Sequence, residues 1–118
     1  MAVTNNVLLT GVGLLVDSAA GSTAVVAKAS SGVLYELELD NSANSAASYL
    51  KLYNTGTVTV GTTVPDMVIM VPANVSRSLV IPSGITFGTA LSYAATTAGG
   101  TSGSTAPTSS FAIKMVYV

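Results

Sequence analysis

The sequence contains no cysteine and no histidine, and these two absences exclude several classes of function. Without cysteine no disulfide can stabilise the fold, and the redox compartment cannot be inferred. Without histidine the chain lacks the commonest general base and the commonest metal ligand. The 15 serine and 15 threonine hydroxyls therefore have no imidazole to activate them as nucleophiles. We expect a protein that is not an enzyme, with no catalytic residue, no metal and no cofactor.

Charged side chains are also scarce, with four basic and five acidic residues among 118 and a net charge of −1. On a folded surface of roughly 5,900 Å² they leave one charge per roughly 650 Å², against roughly 200 Å² in an average domain. Nucleic acid is not an expected partner, because phosphate backbones require clustered cations. The basic residues instead lie singly along the chain, at Lys28, Lys51, Arg77 and Lys114. A surface with so little charge suits a subunit that other protein covers.

One long apolar run is present, VLLTGVGLLV at residues 7–16. It is far shorter than the roughly 20 residues that span a bilayer, so no membrane association is expected. No lysine or arginine precedes it, which argues against a signal peptide. We predict that residues 1–22 form an N-terminal strand or an arm on a neighbouring subunit, and that residues 23–118 form the main domain. The candidate interface residues of this run are Val7, Leu8, Leu9, Leu14, Leu15 and Val16.

Apolar and polar residues alternate repeatedly with a period of two, and no window shows a sustained helical stripe. Val, Thr, Ile and Tyr fill these runs, and Gly, Asn, Pro and Ser separate them. Seven or eight short strands at this spacing predict a two-sheet antiparallel β-sandwich, jelly-roll-like or immunoglobulin-like, with a closed barrel as the alternative. The predicted strands are residues 7–16, 23–29, 32–40, 48–54, 66–71, 76–82, 84–95 and 110–118.

Three segments carry more specific expectations. In residues 84–95 the odd positions 85, 87, 91 and 93 are large and the even ones small or polar, which predicts one strand with a smooth outer face. Residues 67–71 (MVIMV) are apolar throughout, as in a central strand or one covered on both faces. The Gly-, Ser- and Thr-rich stretch at residues 96–110 is predicted to be the least ordered part.

Residues 33–41 (VLYELELDN) and 48–54 (SYLKLYN) both alternate and read as a hairpin joined by a polar loop. In that hairpin Lys51 faces Glu36 or Glu38, as a cross-strand pair worth up to about 1 kcal/mol. Tyr49 and Tyr53 then point outward and complete the candidate interface. The same two tyrosines are the alternative basis for a sugar-binding platform.

The carboxylates of Glu36, Glu38 and Asp40 are the one acidic cluster that could hold a cation. Calcium needs six to eight converging oxygens, whereas alternate residues of a strand project in parallel about 7 Å apart. We therefore interpret the cluster as a solvated strand face and predict no metal site.

The order of segments in the last three quarters of the chain resembles a recurrent kind of small structural protein of tailed bacteriophages. The resemblance covers about residues 29–118. It is carried by ASSGVLYELELDNSANSAASYLKLYN, then by VPDMVIMVPANVSRSLVIPSGITFGTALSYAAT, and by the final SFAIKMVYV after a Ser/Thr/Ala/Gly loop. Residues 1–28 lie outside it.

The resemblance implies a β-sandwich virion component with no catalytic residues. In that class such a domain is frequently a head decoration or cement protein, a trimer or dimer that binds the major capsid protein. Trimeric self-association and a place on the capsid surface are the favoured expectations. A tail, baseplate or fibre-associated sandwich is the alternative, including a small receptor-binding or carbohydrate-binding module.

Overall fold

A computed structural model describes residues 11–118, and within this range the chain forms eight β-strands. No helix of this described range is long and apolar enough to cross a membrane. The strands are β1 (Gly13–Asp17), β2 (Val25–Lys28), β3 (Gly32–Asp40), β4 (Ser48–Tyr53), β5 (Met67–Val71), β6 (Ser76–Phe87), β7 (Leu91–Thr96) and β8 (Ala112–Tyr117).

The strands form two four-stranded antiparallel sheets. Sheet A has the order β1-β8-β3-β6, and sheet B has the order β2-β7-β4-β5. The first strand pairs with the eighth, the second with the seventh, the third with the sixth and the fourth with the fifth. The chain thus folds like one long hairpin wound across two sheets, which is the jelly-roll arrangement. The predicted β-sandwich is confirmed.

The core lies between the sheets and is built from alternate residues of the four inner strands. Burying one such large apolar side chain stabilises the fold by about 1.5–3 kcal/mol. Each of the following core side chains is at most 2% exposed: Leu37, Leu39, Ile113 and Met115 from sheet A, and Leu50, Leu52, Leu91 and Tyr93 from sheet B.

Residues 84–95 do not form the single strand that their alternation predicted. β6 continues to Phe87, a turn follows, and β7 begins at Leu91. The turn is held by Asn54, whose Oδ1 accepts hydrogen bonds from the amides of Thr89 (2.8 Å) and Ala90 (3.4 Å). The three residues of the turn leave the odd positions inward on both sides, so the alternation runs through the turn and hides it.

The predicted hairpin of β3 and β4 is also wrong, because β3 lies in sheet A and β4 in sheet B. The loop between them crosses the sandwich and is organised by the buried Asn41. Its Nδ2 donates to three carbonyl oxygens at 3.0–3.1 Å, and its Oδ1 accepts from two side chains at 2.7 and 2.9 Å. These partners are the carbonyls of Ala46, Val71 and Pro72 and the side chains of Ser48 and Asn44.

β5 is an edge strand of sheet B and is open on its outer face. The prediction from its uniformly apolar sequence, a central strand or one covered on both faces, is therefore wrong. Its inward residues Met67 and Ile69 pack against the core, while Val68 and Met70 are 40% and 42% exposed. An apolar run on an edge strand therefore leaves part of its side chains facing outward.

Candidate interaction surface

The centre of the outer face of sheet B, on β7 and β4, is covered by the chain's own loops. At its edges Val26 on β2 and Val68 and Met70 on β5 stay 40–44% exposed. The outward residues of β7, which are Ser92, Ala94 and Thr96, are all buried. Ser92 Oγ donates to the carbonyl of Thr55 at 2.6 Å, and Thr96 Oγ1 donates to that of Ala98 at 2.7 Å. The smooth face predicted for this part of the sequence therefore lies against loops of the same chain.

Lys51 lies on β4, beneath the loops that cover sheet B, and is fully buried. Its Nζ donates hydrogen bonds to the carbonyl oxygens of Gly100 (2.7 Å) and Gly103 (2.9 Å). Burial lowers the pKa of the Lys51 ammonium, because the charged form loses its hydration. The predicted pairing of Lys51 with Glu36 or Glu38 is therefore wrong, since those carboxylates lie in the other sheet.

The Gly-rich stretch at residues 96–110, predicted to be the least ordered part, contacts this face at several points. The amide of Thr97 donates to the carbonyl of Thr105 at 2.9 Å, within the loop itself. Gly99 lies against the ring of Tyr49, where a β-carbon would come within 2.8 Å of Cδ1. The small residues of this loop thus let its backbone approach the sheet closely.

The outer face of sheet A is not covered in this way, and we define it by the outward residues of its four strands. Registered rows run across it, and one row places Leu14, Val116, Glu36 and Val80 side by side. The next row places Val16, Lys114, Glu38 and Ser78 side by side. The acidic strand β3 therefore has the apolar Val116 and Val80 beside Glu36, and Lys114 and Ser78 beside Glu38.

The apolar edge of this face, defined here as Leu14, Val16 and Val116, lies on β1 and β8. Leu14 is 66% exposed and Val16 is 61% exposed, although both are large apolar residues. Leu15, between them, points inward and packs against the core. β1 is thus anchored through one face while the other presents aliphatic side chains to solvent.

Two contacts anchor β1 to the sandwich. The hydroxyl of Tyr93, on β7 of the opposite sheet, donates to Asp17 Oδ2 at 2.7 Å. Burial, followed by this hydrogen bond and the Asp17 charge, raises the pKa of Tyr93. The ring of Tyr117 packs over Gly13, where any β-carbon would overlap it.

The three carboxylates of β3 differ in the contacts that they make. In the part of the chain that the structure describes, no group of three His, Cys, Asp or Glu could hold a metal ion. Glu38 Oε2 lies 3.9 Å from Lys114 Nζ. Asp40 accepts from the Ser42 amide and the Ser76 hydroxyl, and hydrogen bonds from these two serines lower its pKa.

Two shallow depressions mark this face. One, of about 400 Å³, is lined by Glu38, Asp40 and Lys114 among others, and a smaller one of about 190 Å³ includes Leu14 and Val116.

The predicted interface residues do not all lie on one exposed surface. Val7, Leu8 and Leu9 lie outside the described residues. Leu14 and Val16 are exposed, as an interface requires, whereas Leu15 faces the core.

The two predicted tyrosines do not form an exposed pair. Tyr49 is half-buried beneath Gly99, and Tyr53 is only 1% exposed, so a platform of Tyr49 and Tyr53 is wrong. Val116, in the apolar edge, and Val80 (65% exposed), at the opposite edge of the same face, were not among the predicted interface residues. Their alternation with inward residues was visible in the sequence, but not which face would stay open.

No family model, no curated protein and no solved structure matches this chain.

Proposed function

We propose that this protein is a non-enzymatic structural subunit of a bacteriophage virion, a cement or decoration protein that binds the major capsid protein on the capsid surface. The observation that carries the proposal is the contrast between the two sheets. The centre of sheet B is covered by its own loops, and the outward aliphatic side chains at its edges are 40–44% exposed. Sheet A presents an apolar edge with two aliphatic side chains more than 60% exposed. Exposed aliphatic groups at a sheet edge gain free energy when another protein covers them.

Composition supports the same role. Stable assemblies bury well over 1,000 Å² of largely neutral surface, and charged residues are depleted at the centre of such contacts. With nine charged residues in 118, this chain has little ionic surface to desolvate. The resemblance of residues 29–118 to phage structural proteins points in the same direction.

A tail, baseplate or fibre-associated sandwich is the alternative role within the same class of protein. A receptor-binding or carbohydrate-binding version of it requires exposed aromatic side chains grouped at one tip. The burial of Tyr53 and the cover over Tyr49 weaken that version. The cement role needs no such aromatic group.

Localisation in purified particles tests the proposal. Particles of the phage or prophage that encodes the chain are analysed by mass spectrometry and by cryo-electron microscopy. We expect the protein in mature particles, with density for the jelly roll on the outside of the head. Density on the tail would select the alternative role, and absence from washed, infectious particles would refute both.

A further inference from the structure

Three of the four sheet edges carry a feature that hinders pairing with another strand. On β6, four residues, Ile81–Gly84, stand opposite the single Tyr35 of β3, so the strand bulges and contains Pro82. β2 has only four residues and a register shift before Lys28. On β5, Arg77 Nη1 donates to the carbonyl of Met70 at 2.7 Å.

β1 differs from the other edges. Its five residues pair with β8 in an unbroken register, and it contains no proline, lysine or arginine. Among residues 11–118, β8 is its only strand partner, so every second residue of β1 directs its backbone N–H and C=O away from the sheet. Its outward side chains Leu14 and Val16 are exposed.

We propose that the edge of β1 that faces away from β8 pairs antiparallel with β1 of a second copy of this chain, which joins two copies of sheet A into one eight-stranded sheet. This inference rests on the proposed role as a structural subunit, because it specifies one of the contacts that such a subunit makes with its own copies. A two-fold axis relates the two strands, so each contributes the same surface to the interface.

The chemistry of β1 is self-complementary. In the register centred on Leu15, Leu14 of each copy lies opposite Val16 of the other, and the two apolar edges form one continuous stripe. The single charge of the strand, Asp17, lies opposite Gly13 and already accepts the hydrogen bond from Tyr93. No like charges therefore face one another across the axis, and a net charge of −1 gives little repulsion between whole copies.

Sedimentation velocity and light scattering of the full chain, over micromolar to millimolar concentrations, test this contact. Because five-residue strands make an interface below the roughly 1,200 Å² of stable complexes, we expect a weak, concentration-dependent dimer. The double variant L14K/V16K places lysines opposite lysines and should weaken dimerisation by about tenfold or more.

The matched control is S78K/V80K, which adds the same charge to the opposite edge of the same face and should dimerise like the wild type. Circular dichroism confirms that both variants are folded, as expected for exposed positions. A wild type that stays monomeric, a trimer, or equal loss of dimer in both variants would overturn the proposal. A monomer found on particle heads would overturn this contact and leave the proposed function standing.

Discussion

Single polar side chains, in addition to strand pairing, join the loops of this sandwich to its sheets. Lys51 joins the Gly-rich loop to sheet B, Asn41 joins three chain segments, and Tyr93 joins β7 to β1. In the described part of the chain, no buried side-chain nitrogen or oxygen lacks a hydrogen-bond partner. Loss of any one of these groups therefore leaves buried partners unsatisfied, which costs about 1–3 kcal/mol for each.

Replacement of Lys51 by methionine should release the Gly-rich loop. The change keeps the aliphatic stem but removes the donor that the carbonyls of Gly100 and Gly103 share. We expect faster amide hydrogen exchange at Thr97 and Gly103 and a loss of about 1–3 kcal/mol in unfolding free energy. The control is K114M, at the exposed lysine, which should change the free energy by less than about 0.5 kcal/mol. Unchanged exchange in K51M would contradict the proposed anchoring.

The variant N41D should be among the most destabilising single-atom changes in this protein. It removes the two N–H donors of Asn41 and points a carboxylate at three carbonyl oxygens in a buried site. We expect a loss of more than about 3 kcal/mol at neutral pH, partly recovered at acid pH where the new carboxyl is protonated. Urea unfolding at neutral and at acid pH measures the loss of unfolding free energy and its recovery.

N74D provides the comparison for N41D. Asn74 is exposed and adopts a left-handed backbone (φ 61°) that aspartate also tolerates. Equal stability of the two variants would show that the Asn41 network contributes nothing.

Because two tyrosines are buried, we expect the protein to lose stability at alkaline pH. Burial raises the pKa of Tyr93 and of Tyr53 above the ordinary value of 10.0, so the folded state keeps their protons where the unfolded state loses them. Their contribution is therefore complete below pH 10 and is lost as pH rises further. Each retained proton contributes a slope of about 1.4 kcal/mol per pH unit.

In the variant Y93F the unfolding free energy should fall less steeply above pH 10, by the contribution of one proton. At neutral pH it should cost about 1–3 kcal/mol, because Asp17 loses a charge-assisted hydrogen bond. Urea titrations between pH 8 and pH 11.5, values chosen around the ordinary tyrosine pKa, compare the variant with the wild type. A parallel pH dependence of the two proteins would rule out Tyr93 as a titrating group in unfolding.

At the scale of elements, the sequence predicted most strands but not how they pair. Alternation placed β3, β4, β7 and β8 with nearly the observed inward residues, because one side of each strand faces the core. The alternation did not predict strand pairing where the path of a loop determines which sheet a strand joins. The connection that begins at Asn41 crosses between sheets, and local periodicity carries no information on that crossing.

The same reason explains the errors at the candidate site. Leu14 and Val16 were identified because they belong to an apolar run, and both are exposed. Tyr53 was misplaced because its side chain points outward from sheet B, where the chain's own loops cover the face. Whether an outward residue meets solvent depends on loop paths that no strand pattern encodes.

At the element scale, G13A should detach the first strand from the sheet. A β-carbon at Gly13 overlaps the Tyr117 ring, which must swing away and uncover the β1–β8 contact. We expect a loss of about 1–3 kcal/mol and faster amide exchange confined to β1 and β8. G88A is the control, because nothing lies within 4 Å of its β-carbon. Similar effects of both variants would refute the packing argument.

At the scale of the whole molecule, stability depends on apolar burial and neutral hydrogen bonds. In the described range there is one ion pair, 3.9 Å between Lys114 and Glu38, and both side chains are more than half exposed. Added salt therefore has little attraction between charged side chains to screen in this protein. We expect the unfolding free energy to change by less than about 0.5 kcal/mol between low salt and about 1 M NaCl. Urea titrations at the two ionic strengths measure this, and a change several times larger would contradict it.

The position of β8 within sheet A has a consequence for how the molecule is made. β8 lies between β1 and β3, yet a ribosome synthesises it after all the other seven strands. Until it emerges, β1 has no neighbour in the described fold, and the acidic strand β3 can pair on one side only. Sheet B contains no strand beyond β7, so all four of its strands precede the strand that completes sheet A. Sheet A, which carries β1 at its edge, is therefore completed only once β8 has been made.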